Sequence, residues 1–469
     1  MARHGWAPGV RRWRLAALLG VPAAVVALLV TLAGTPSGGG ANTEGTSPGG
    51  AGAHGTPVTP PQRLRPDVGW GFTHTQFSAG EGSPRAVARV ENRLKGARLP
   101  QNQHIMGWGA DNPEPVRGRY DFAALDRRVD FMRASGATPV ITLCCAPDWM
   151  KGGEAGAGRT DWSQAALETA PEPEHYDDFA ALAATVAKRY PDVRHFIVWN
   201  EFKGFWDDAG HRWDHEGYTR MYNRVYRALK EVDEDLMVGG PYLVMDSLDP
   251  RQEYASAAPK GPWGALDQRV LDAFAYWNRH KAGADFVVVD GSSYTRDDEL
   301  LPDEFAATAK FTAVGEWVRR QTGGELPLWW AEYYVEPADG DDQRHGWSEA
   351  RRTAVQAAGM IAMVEGGASS GFYWNPEAER GPECPGCLWT PTDTAAGGGK
   401  LPMYDLLSRF AAAFPPGTAY AAITADPEVR ALATDRTVLV VNTRDRALSA
   451  TVDGRTVDLQ AYEVKWLTR

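Results

Sequence analysis

The chain has 469 residues, which is enough for two or three domains, although a single α/β barrel takes about 250 residues or more, so length alone does not fix the architecture. Hydrophobic residues make up 43% of the chain and charged residues 23%, as is ordinary for a globular protein with a sizeable core. The formal net charge of −11 at pH 7 repels phosphate backbones, and nucleic acid is therefore not expected as a partner.

The first predicted element is an uncharged run at residues 15–33, preceded by Arg3, Arg11, Arg12 and Arg14. Such a run fits either a secretory signal peptide or a short membrane anchor, and both would export the rest of the chain. We therefore expect an extracellular protein, either secreted or tethered to the outer face of the cytoplasmic membrane by residues 1–33. Residues 34–65 are rich in Gly, Ser, Thr and Pro and are predicted to form a flexible linker.

From residue 66 to residue 413, apolar runs of strand length alternate with helical patterns. The predicted strands are 68–72, 104–108, 138–143, 195–199, 236–239, 284–290, 326–331 and 371–374. The clearest helical patterns, with apolar residues three and four positions apart, are 123–134, 177–189, 218–232, 306–321 and 348–364. Eight such units in this order predict a (β/α)8 TIM barrel, whose active site lies at the C-terminal ends of the strands.

Residues 414–469 have a different pattern, with short strands at 430–434, 437–442, 448–452 and 462–467 and no helix. Asp453-Gly454 is a typical hairpin turn. This segment is predicted to be a small C-terminal all-β domain, packed against the barrel.

The four cysteines fit an oxidising compartment without forming a disulfide scaffold. Cys384 and Cys387 are the candidate pair for a small disulfide in a loop, because a zinc site would need two further ligands and no second CxxC motif exists. Cys144 and Cys145 are neighbours in a predicted strand and are expected to be buried free thiols. No metal or organic cofactor is predicted.

Two glutamates end predicted strands and lie beside tryptophans: Glu201 in Trp199-Asn200-Glu201, and Glu332 in Trp329-Trp330-Ala331-Glu332. The barrel top would bring strands four and seven together, and two carboxyl groups facing one sugar ring are what glycoside hydrolysis requires. The 18 tryptophans agree with a carbohydrate cleft, although indoles also fill cores and about half of them are expected there.

The chain resembles the clan A retaining glycoside hydrolases, and most closely family 39, which is typified by β-xylosidases. The resemblance covers residues 66–469 and depends on a combination of four motifs. They are Tyr120-Asp121-Phe122 with Leu125-Asp126, Pro147-Asp148-Trp149-Met150, Arg189-Tyr190-Pro191 and Val238-Gly239-Gly240-Pro241.

The resemblance implies that Glu201 is the acid/base and Glu332 the nucleophile, and that Asn200 binds the sugar 2-hydroxyl. Apolar neighbours such as Trp199 and Phe202 are expected to keep Glu201 protonated, whereas Glu332 is expected to be ionised. Further candidates for binding the substrate follow. Tyr294 is the predicted hydrogen-bond donor to Glu332, Trp374 the stacking platform, and His74, His104, Asp148 and Trp149 the partners of ring hydroxyls. For Tyr294, Trp374 and the histidines, a purely structural role remains the competing interpretation.

The chain departs from the family directly after the acid/base, where Phe202-Lys203 replaces the usual proline. Lys203 is expected to be a solvated surface lysine, with contact to an anionic or hydroxyl-rich leaving group as the alternative. An acidic sugar substrate would call for a cluster of Arg or Lys at the site, and the sequence does not reveal one.

Three functions remain open. The first is an exported retaining glycosidase, β-xylosidase-like, acting on oligosaccharides of plant cell walls. The second is a glycosidase acting on another polysaccharide, such as arabinogalactan side chains or an exopolysaccharide, in exo or endo mode. The third is an inactive cell-surface protein that binds carbohydrate. In each case the expected partner is an oligosaccharide or polysaccharide, and the oligomeric state is left open.

Overall fold

The predicted barrel is confirmed in the computed structural model, which describes residues 66–78, 82–296, 300, 302–335, 347–374, 376–378 and 385–469. Eight parallel strands pair in sequence order, and the first closes on the eighth. The strands are Gly69–Thr73, Gln101–His104, Pro139–Leu143, His195–Val198, Met237–Val244, Phe286–Asp290, Leu328–Trp330 and Ala368–Tyr373. Below they are called barrel strands one to eight.

Helices follow the strands and cover the outside of the barrel. The long helices are Pro84–Ala97, Ala123–Ala134, Tyr176–Arg189, His215–Val232, Gln268–His280, Ala309–Gln321, Glu349–Glu365 and Pro402–Ala413. Gln164–Leu167 and Glu304–Ala307 are single-turn helices, and Asp148–Met150 and Pro173–His175 are 3-10 turns. Side-chain caps fix several starts; for example, Asp214 accepts a hydrogen bond from the Gly217 amide and Asp267 one from the Arg269 amide.

The interior of the barrel is filled by apolar side chains from strands three to eight. The central cluster consists of Val140, Ile197, Tyr242, Phe286, Val288, Trp329, Ala331 and Phe372, all buried. Trp329 stacks on Phe286 with ring centroids 3.9 Å apart. Trp329 and Trp330, which the sequence placed beside a candidate carboxylate, are thus core residues, and at least eight of the 18 tryptophans are buried.

Short strands lie outside the barrel. Trp206–Asp207 pairs with Arg212–Trp213, and Gly264–Asp267 pairs with both Ser247–Leu248 and Ala255–Gly261. In the C-terminal region, Val429–Ala433, Thr437–Asn442 and Val464–Thr468 form one antiparallel sheet, and Leu448–Val452 pairs with Arg455–Leu459. The predicted hairpin turn is confirmed: Asp453 and Gly454 have φ values of 51° and 75°, as a type I′ turn requires.

The predicted leader and linker, residues 1–65, lie outside the described residues. Residues Arg65–Arg469 form one compact unit, in which the C-terminal sheet contacts the helix Glu349–Glu365. None of the helices in the described part of the chain combines the length and apolar character that a membrane span requires.

A buried carboxylate organises the loop that follows barrel strand eight. Glu377 is 1% exposed and accepts hydrogen bonds from the Trp389 indole at 2.6 Å and from the amide and hydroxyl of Thr392, each at 2.5 Å. Replacing Glu377 with alanine leaves these buried donors without their partner, and we expect the free energy of unfolding to fall by about 3 kcal/mol. The midpoint of urea unfolding measures this loss.

The matched control is Glu316→Ala, because the Glu316 side chain is 57% exposed on a helix of the barrel. We expect this change to alter stability by no more than about 0.5 kcal/mol. Equal unfolding midpoints for the two variants would contradict the structural role of Glu377.

Candidate active site

Glu201 lies in a turn of unusual backbone directly after barrel strand four. Trp199, Glu201 and Phe202 have φ values of 68°, 52° and 55°, in the left-handed region that bulky residues rarely adopt. The turn is held by buried neighbours: the Trp199 indole donates a hydrogen bond to the Lys203 carbonyl at 2.8 Å, and Phe202 stacks on Tyr218 at 3.9 Å. Backbone strain of this kind concentrates at functional sites, where the surrounding structure maintains it.

Glu332 lies after barrel strand seven and is 3% exposed. Each of its carboxylate oxygens accepts one phenol hydrogen bond, from Tyr242 at 2.6 Å and from Tyr334 at 2.7 Å. The predicted donor, Tyr294, is not either of these; its carbonyl accepts from Ser247, and its side chain lies near Arg351. The prediction for Tyr294 is therefore wrong, because strand five and the residues just after Glu332 supply the phenols.

A third carboxyl group, which the sequence analysis missed, completes the site. Asp290 ends barrel strand six and is 1% exposed. One oxygen from each of Glu201, Asp290 and Glu332 lies within 4.8 Å of the other two. An acid directly after the apolar run Phe286-Val287-Val288-Val289 was the available signal, since strand ends in such barrels carry the active site.

Lys203 is not the solvated surface lysine that the sequence predicts. Its ammonium group lies 2.7 Å from Glu201 and 3.4 Å from Glu168, and its side chain is 22% exposed. The ammonium also lies 5.6 Å from the centre of the Trp108 ring. Lys203 therefore brings a positive charge into direct contact with the candidate acid/base.

This charge reverses the predicted protonation of the two glutamates. Burial favours a raised pKa for Glu201, but the charge of Lys203 and the hydrogen bond with Asp290 outweigh burial, and the pKa lies below its usual range. Burial and the charge of Glu201 raise the pKa of Glu332 to about 7, against the lowering effect of its two phenol donors. Burial also places the pKa of Asp290 well above its usual range. In the substrate-free site Glu201 is thus the ionised group, and the protons reside on Asp290 and, in part, on Glu332.

Carboxylate oxygens at this spacing are also ligands that a hard cation such as Ca²⁺ takes. Here, however, Lys203 already supplies the positive charge next to Glu201. The three carboxyl groups therefore fit a cluster that shares protons as well as they fit a metal site.

Asn200 and His104 line the same site. Asn200 is 1% exposed and His104 is fully buried at the end of strand two, close to Asn200 and Lys203. Neither His104 ring nitrogen nor the Asn200 Oδ1 makes a hydrogen bond of ordinary geometry within the described part of the chain. Burial, followed by the charge of Lys203, lowers the pKa of His104 to about 3, so the ring is neutral and can exchange hydrogen bonds with a hydroxyl. Trp374, directly after strand eight, is half-buried and stays a predicted platform.

Two other candidates have their polar groups engaged within the fold. His74 is buried with its two ring nitrogens 2.8 Å from Ser78 and 2.9 Å from Gln101, which leaves neither for a sugar hydroxyl. The Trp149 indole donates to the Glu114 carbonyl at 2.8 Å. The structural interpretation of these two residues is the better supported one. Buried Asp148 lies 3.9 Å from the Lys151 ammonium, its Oδ2 makes no hydrogen bond within the described residues, and it stays a predicted partner of a ring hydroxyl.

The cysteines also differ from expectation. Cys144 and Cys145, predicted to be free thiols, form a disulfide between neighbours directly after barrel strand three, and both are buried. The predicted pair includes Cys384, which lies outside the described residues, while Cys387 is buried.

The fold and the site together define a class: a (β/α)8 barrel with acidic side chains at the ends of strands four, six and seven, as in glycosidases that act through paired carboxyl groups.

Comparison with known proteins agrees. The family model "Glycosyl hydrolases family 39" matches residues 107–258, a segment that includes Glu201. A β-xylosidase from Geobacillus stearothermophilus is 25% identical over 233 residues, which is 46% of this chain and 41% of that protein. The chain thus matches only about two fifths of the length of this relative.

Solved structures share the fold at low identity. A monomeric β-xylosidase from Caulobacter crescentus aligns over 84% of this chain and 75% of its own, with a TM-score of 0.53 and 19% identity. SrfJ from Salmonella typhimurium aligns over 87% of this chain and 90% of its own, with a TM-score of 0.55 and 14% identity. The family model and the curated relative confirm the resemblance to glycoside hydrolase family 39, and the solved structures confirm the fold.

Proposed function

We propose that the protein is an exported retaining glycoside hydrolase that removes neutral sugars, xylose-like in the first instance, from oligosaccharides of plant cell walls. The observation that carries this proposal is the spacing of Glu201 and Glu332, whose nearest oxygens are within 4.8 Å. Retaining enzymes hold their carboxyl groups about 5 Å apart, whereas inverting enzymes leave about 6.5 to 9.5 Å for a water molecule.

In the proposed mechanism Glu332 attacks the anomeric carbon while Glu201 protonates the departing oxygen, so that the glycosidic bond breaks as the bond to Glu332 forms. Glu201 then takes a proton from water, and the water oxygen displaces Glu332 from the sugar. Tyr242 and Tyr334 orient the Glu332 carboxylate, and Asn200 and His104 are placed to bind ring hydroxyls. Two carboxyl groups suffice for this chemistry, and the proposal includes no cofactor.

The active protonation state is the one in which the proton shared by the pair resides on Glu201 and Glu332 is ionised. Since burial and the charge of Glu201 raise the pKa of Glu332 to about 7, the pair takes up this single proton as the pH falls through about 7. A second proton, which silences the nucleophile, binds only as the pH falls through the lowered pKa of Glu201. At higher pH the proton is lost from the pair, and Glu201 no longer serves as an acid. We therefore expect a bell-shaped pH profile, whose two midpoints belong to the coupled pair of Glu201 and Glu332 and not to either residue alone.

The charge at the site favours a neutral sugar. The ammonium of Lys203 is already shared between Glu201 and Glu168, so an additional carboxylate on the substrate would meet acidic groups more than a free cation. We therefore expect glycosides of uronic acids to be poor substrates.

The test is hydrolysis of a panel of aryl β-xylosides, α-arabinosides, β-galactosides, β-glucosides and β-glucuronides by the purified protein, with proton NMR of the first product. We expect one neutral glycoside to be cleaved, with the anomeric configuration of the substrate retained. A first product of inverted configuration would contradict the mechanism. If no aryl glycoside and no polysaccharide digest is cleaved while oligosaccharides still bind, the protein is a carbohydrate-binding protein instead.

Export is proposed from the uncharged run at residues 15–33 that follows the arginines. Mass spectrometry of the N-terminus of the exported protein distinguishes a cleaved signal peptide from a retained anchor. Finding the protein inside the cell with its N-terminus intact would overturn both.

A further inference from the structure

Lys203 lies in the turn that carries the candidate acid/base. Its ammonium group bridges two carboxylates that come from different segments: Glu201, 2.7 Å away in the same turn, and Glu168, 3.4 Å away at the end of the helix Gln164–Leu167. The side chains of Glu201 and Glu168 are only 17% and 19% exposed, so water screens these ion pairs less than it would at the surface.

The backbone holds Lys203 in this place. Its amide donates to the Asn200 carbonyl at 3.0 Å, and its carbonyl accepts from the buried Trp199 indole at 2.8 Å. The next residue, Gly204, has a φ of 78° and packs so closely on the 168–170 segment that a Cβ atom would lie 2.1 Å from the Ala170 amide nitrogen. The turn and the segment that carries Glu168 are therefore fixed against each other.

Several other charged and titratable groups surround the ion pair of Lys203 and Glu201. Glu201 also faces Asp290, Glu332 and, more distantly, Asp246, and neutral His104 lies beside Lys203. The phenols of Tyr242 and Tyr334 bind Glu332 and not Glu201. Lys203 is thus the cation in direct contact with Glu201, while the buried ammonium of Lys310 acts on Asp290 and Asp246.

We propose that Lys203 is a positioning residue of the catalytic pair: it keeps the Glu201 carboxylate charged and oriented through their ion pair, and Glu168 weakens this ion pair by competing for the same ammonium group. For its kinetic consequence this inference rests on the proposed function. Lys203 opposes the first step, in which Glu201 must carry a proton, and favours the second, in which the Glu201 carboxylate takes a proton from water. The strength of the ion pair therefore sets the alkaline limit of activity.

The experiment compares the pH profiles of kcat/KM for four variants and the wild type. Lys203→Met removes the charge and should move the alkaline limb to higher pH, so that relative kcat/KM one pH unit above the wild-type midpoint rises about tenfold. Glu168→Gln removes the competing carboxylate, so that the Lys203 ammonium pairs with Glu201 alone. This variant should move the alkaline limb to lower pH. Lys203→Arg should keep the limb close to that of the wild type. Since Glu168 acts through Lys203, the double variant that combines Lys203→Met with Glu168→Gln should have the same pH profile as Lys203→Met alone.

If Lys203 had a purely structural role, both Lys203→Met and Glu168→Gln would lower the whole profile. Neither variant would then shift the alkaline limb, whereas the proposal expects a shift to higher pH in Lys203→Met and to lower pH in Glu168→Gln. Lys203 also lowers the pKa of Glu332, although less than the two phenols do, so loss of the Lys203 charge should move both limbs of the profile to higher pH. Thermal unfolding of each variant, followed by circular dichroism, checks that it is folded; if Lys203→Met is not, a shift of the alkaline limb to lower pH in Glu168→Gln beside an unshifted limb in Lys203→Arg decides the matter.

A second measurement needs no activity. Carbon-13 NMR of glutamate-labelled protein follows the Glu201 carboxylate directly, with the signal assigned by its loss in Glu201→Gln. If no glycoside is cleaved but the Glu201 midpoint rises in Lys203→Met and falls in Glu168→Gln, the proposed function fails and the inference stands. If glycosides are cleaved and both midpoints equal that of the wild type, the inference is overturned.

Discussion

Replacing Glu332 with alanine is expected to lower kcat by roughly 10⁴-fold or more, because the covalent bond to the sugar would lose its nucleophile. The side chain is buried and held by two phenol hydrogen bonds, at 2.6 and 2.7 Å, so no neighbouring group can move into its position without breaking this arrangement. Azide, which fits the space left by the carboxylate, should restore part of the rate. From a β-glycoside it should give the α-glycosyl azide, since it attacks from the Glu332 side. Steady-state kinetics and NMR of the product measure both effects.

A second variant is needed to decide whether Glu332 or Asp290 is the nucleophile. The Asp290 carboxyl group lies within 4.8 Å of Glu332 and is buried to the same degree. Asp290→Asn keeps the shape and should retain the covalent intermediate that a 2-deoxy-2-fluoro glycoside traps, with the label on the peptide that contains Glu332. A label on Asp290 in the wild type would show that the nucleophile had been misassigned. Glu316→Ala serves as the control for a remote, exposed glutamate, at 57% exposure.

Replacing Glu201 with alanine is expected to separate substrates by their leaving groups. Poor leaving groups, which need a proton as the bond breaks, should lose about 10² to 10⁴ in kcat/KM, whereas dinitrophenyl glycosides should lose far less. Hydrolysis of the glycosyl-enzyme should become rate-limiting for the activated substrates, because no base remains to take a proton from water. Azide should then give a product of retained configuration, opposite to that of Glu332→Ala.

The matched control for Glu201 is Glu316→Ala, because Glu316 is 57% exposed on a helix and contacts neither Lys203 nor Glu201. We expect no dependence on the leaving group in this variant. If Glu201→Ala lowers kcat/KM by the same factor for every leaving group, Glu201 is not the acid, and Asp290, whose burial raises its pKa, becomes the candidate.

The barrel could be predicted because strands buried on both faces leave uninterrupted apolar runs, such as Phe286–Asp290. Strand two was placed three residues too late, since its actual residues, Gln101–His104, are all polar although they are buried. The hydrogen bonds of Gln101 to His74 and Ser135 explain this burial, and such long-range pairing leaves no pattern in the sequence. The predicted helix at 306–321 is interrupted at Thr308, whose hydroxyl bonds the Phe305 carbonyl.

The two glutamates could be predicted because each directly follows a strand, and position along a strand is visible in the sequence. Their protonation could not be, because it depends on Lys203, whose direction is set by three left-handed residues in one turn. Tyr242 illustrates the same limit: it contacts Glu332 from a strand 90 residues earlier, with a φ of 55° that its sequence context does not signal. Contacts made across the barrel decide the electrostatics of the site.

The φ of 55° at Phe202 bears on how this barrel could be redesigned. Proline is confined to a φ near −65°, so the proline that the family resemblance leads one to expect after the acid/base cannot be introduced here as a single substitution. Because Gly204 packs against Ala170, a graft would have to exchange the turn at 199–206 and the 168–170 segment as one block. Two stretches separated along the chain thus behave as one structural unit, which a redesign of leaving-group preference would have to replace as a whole.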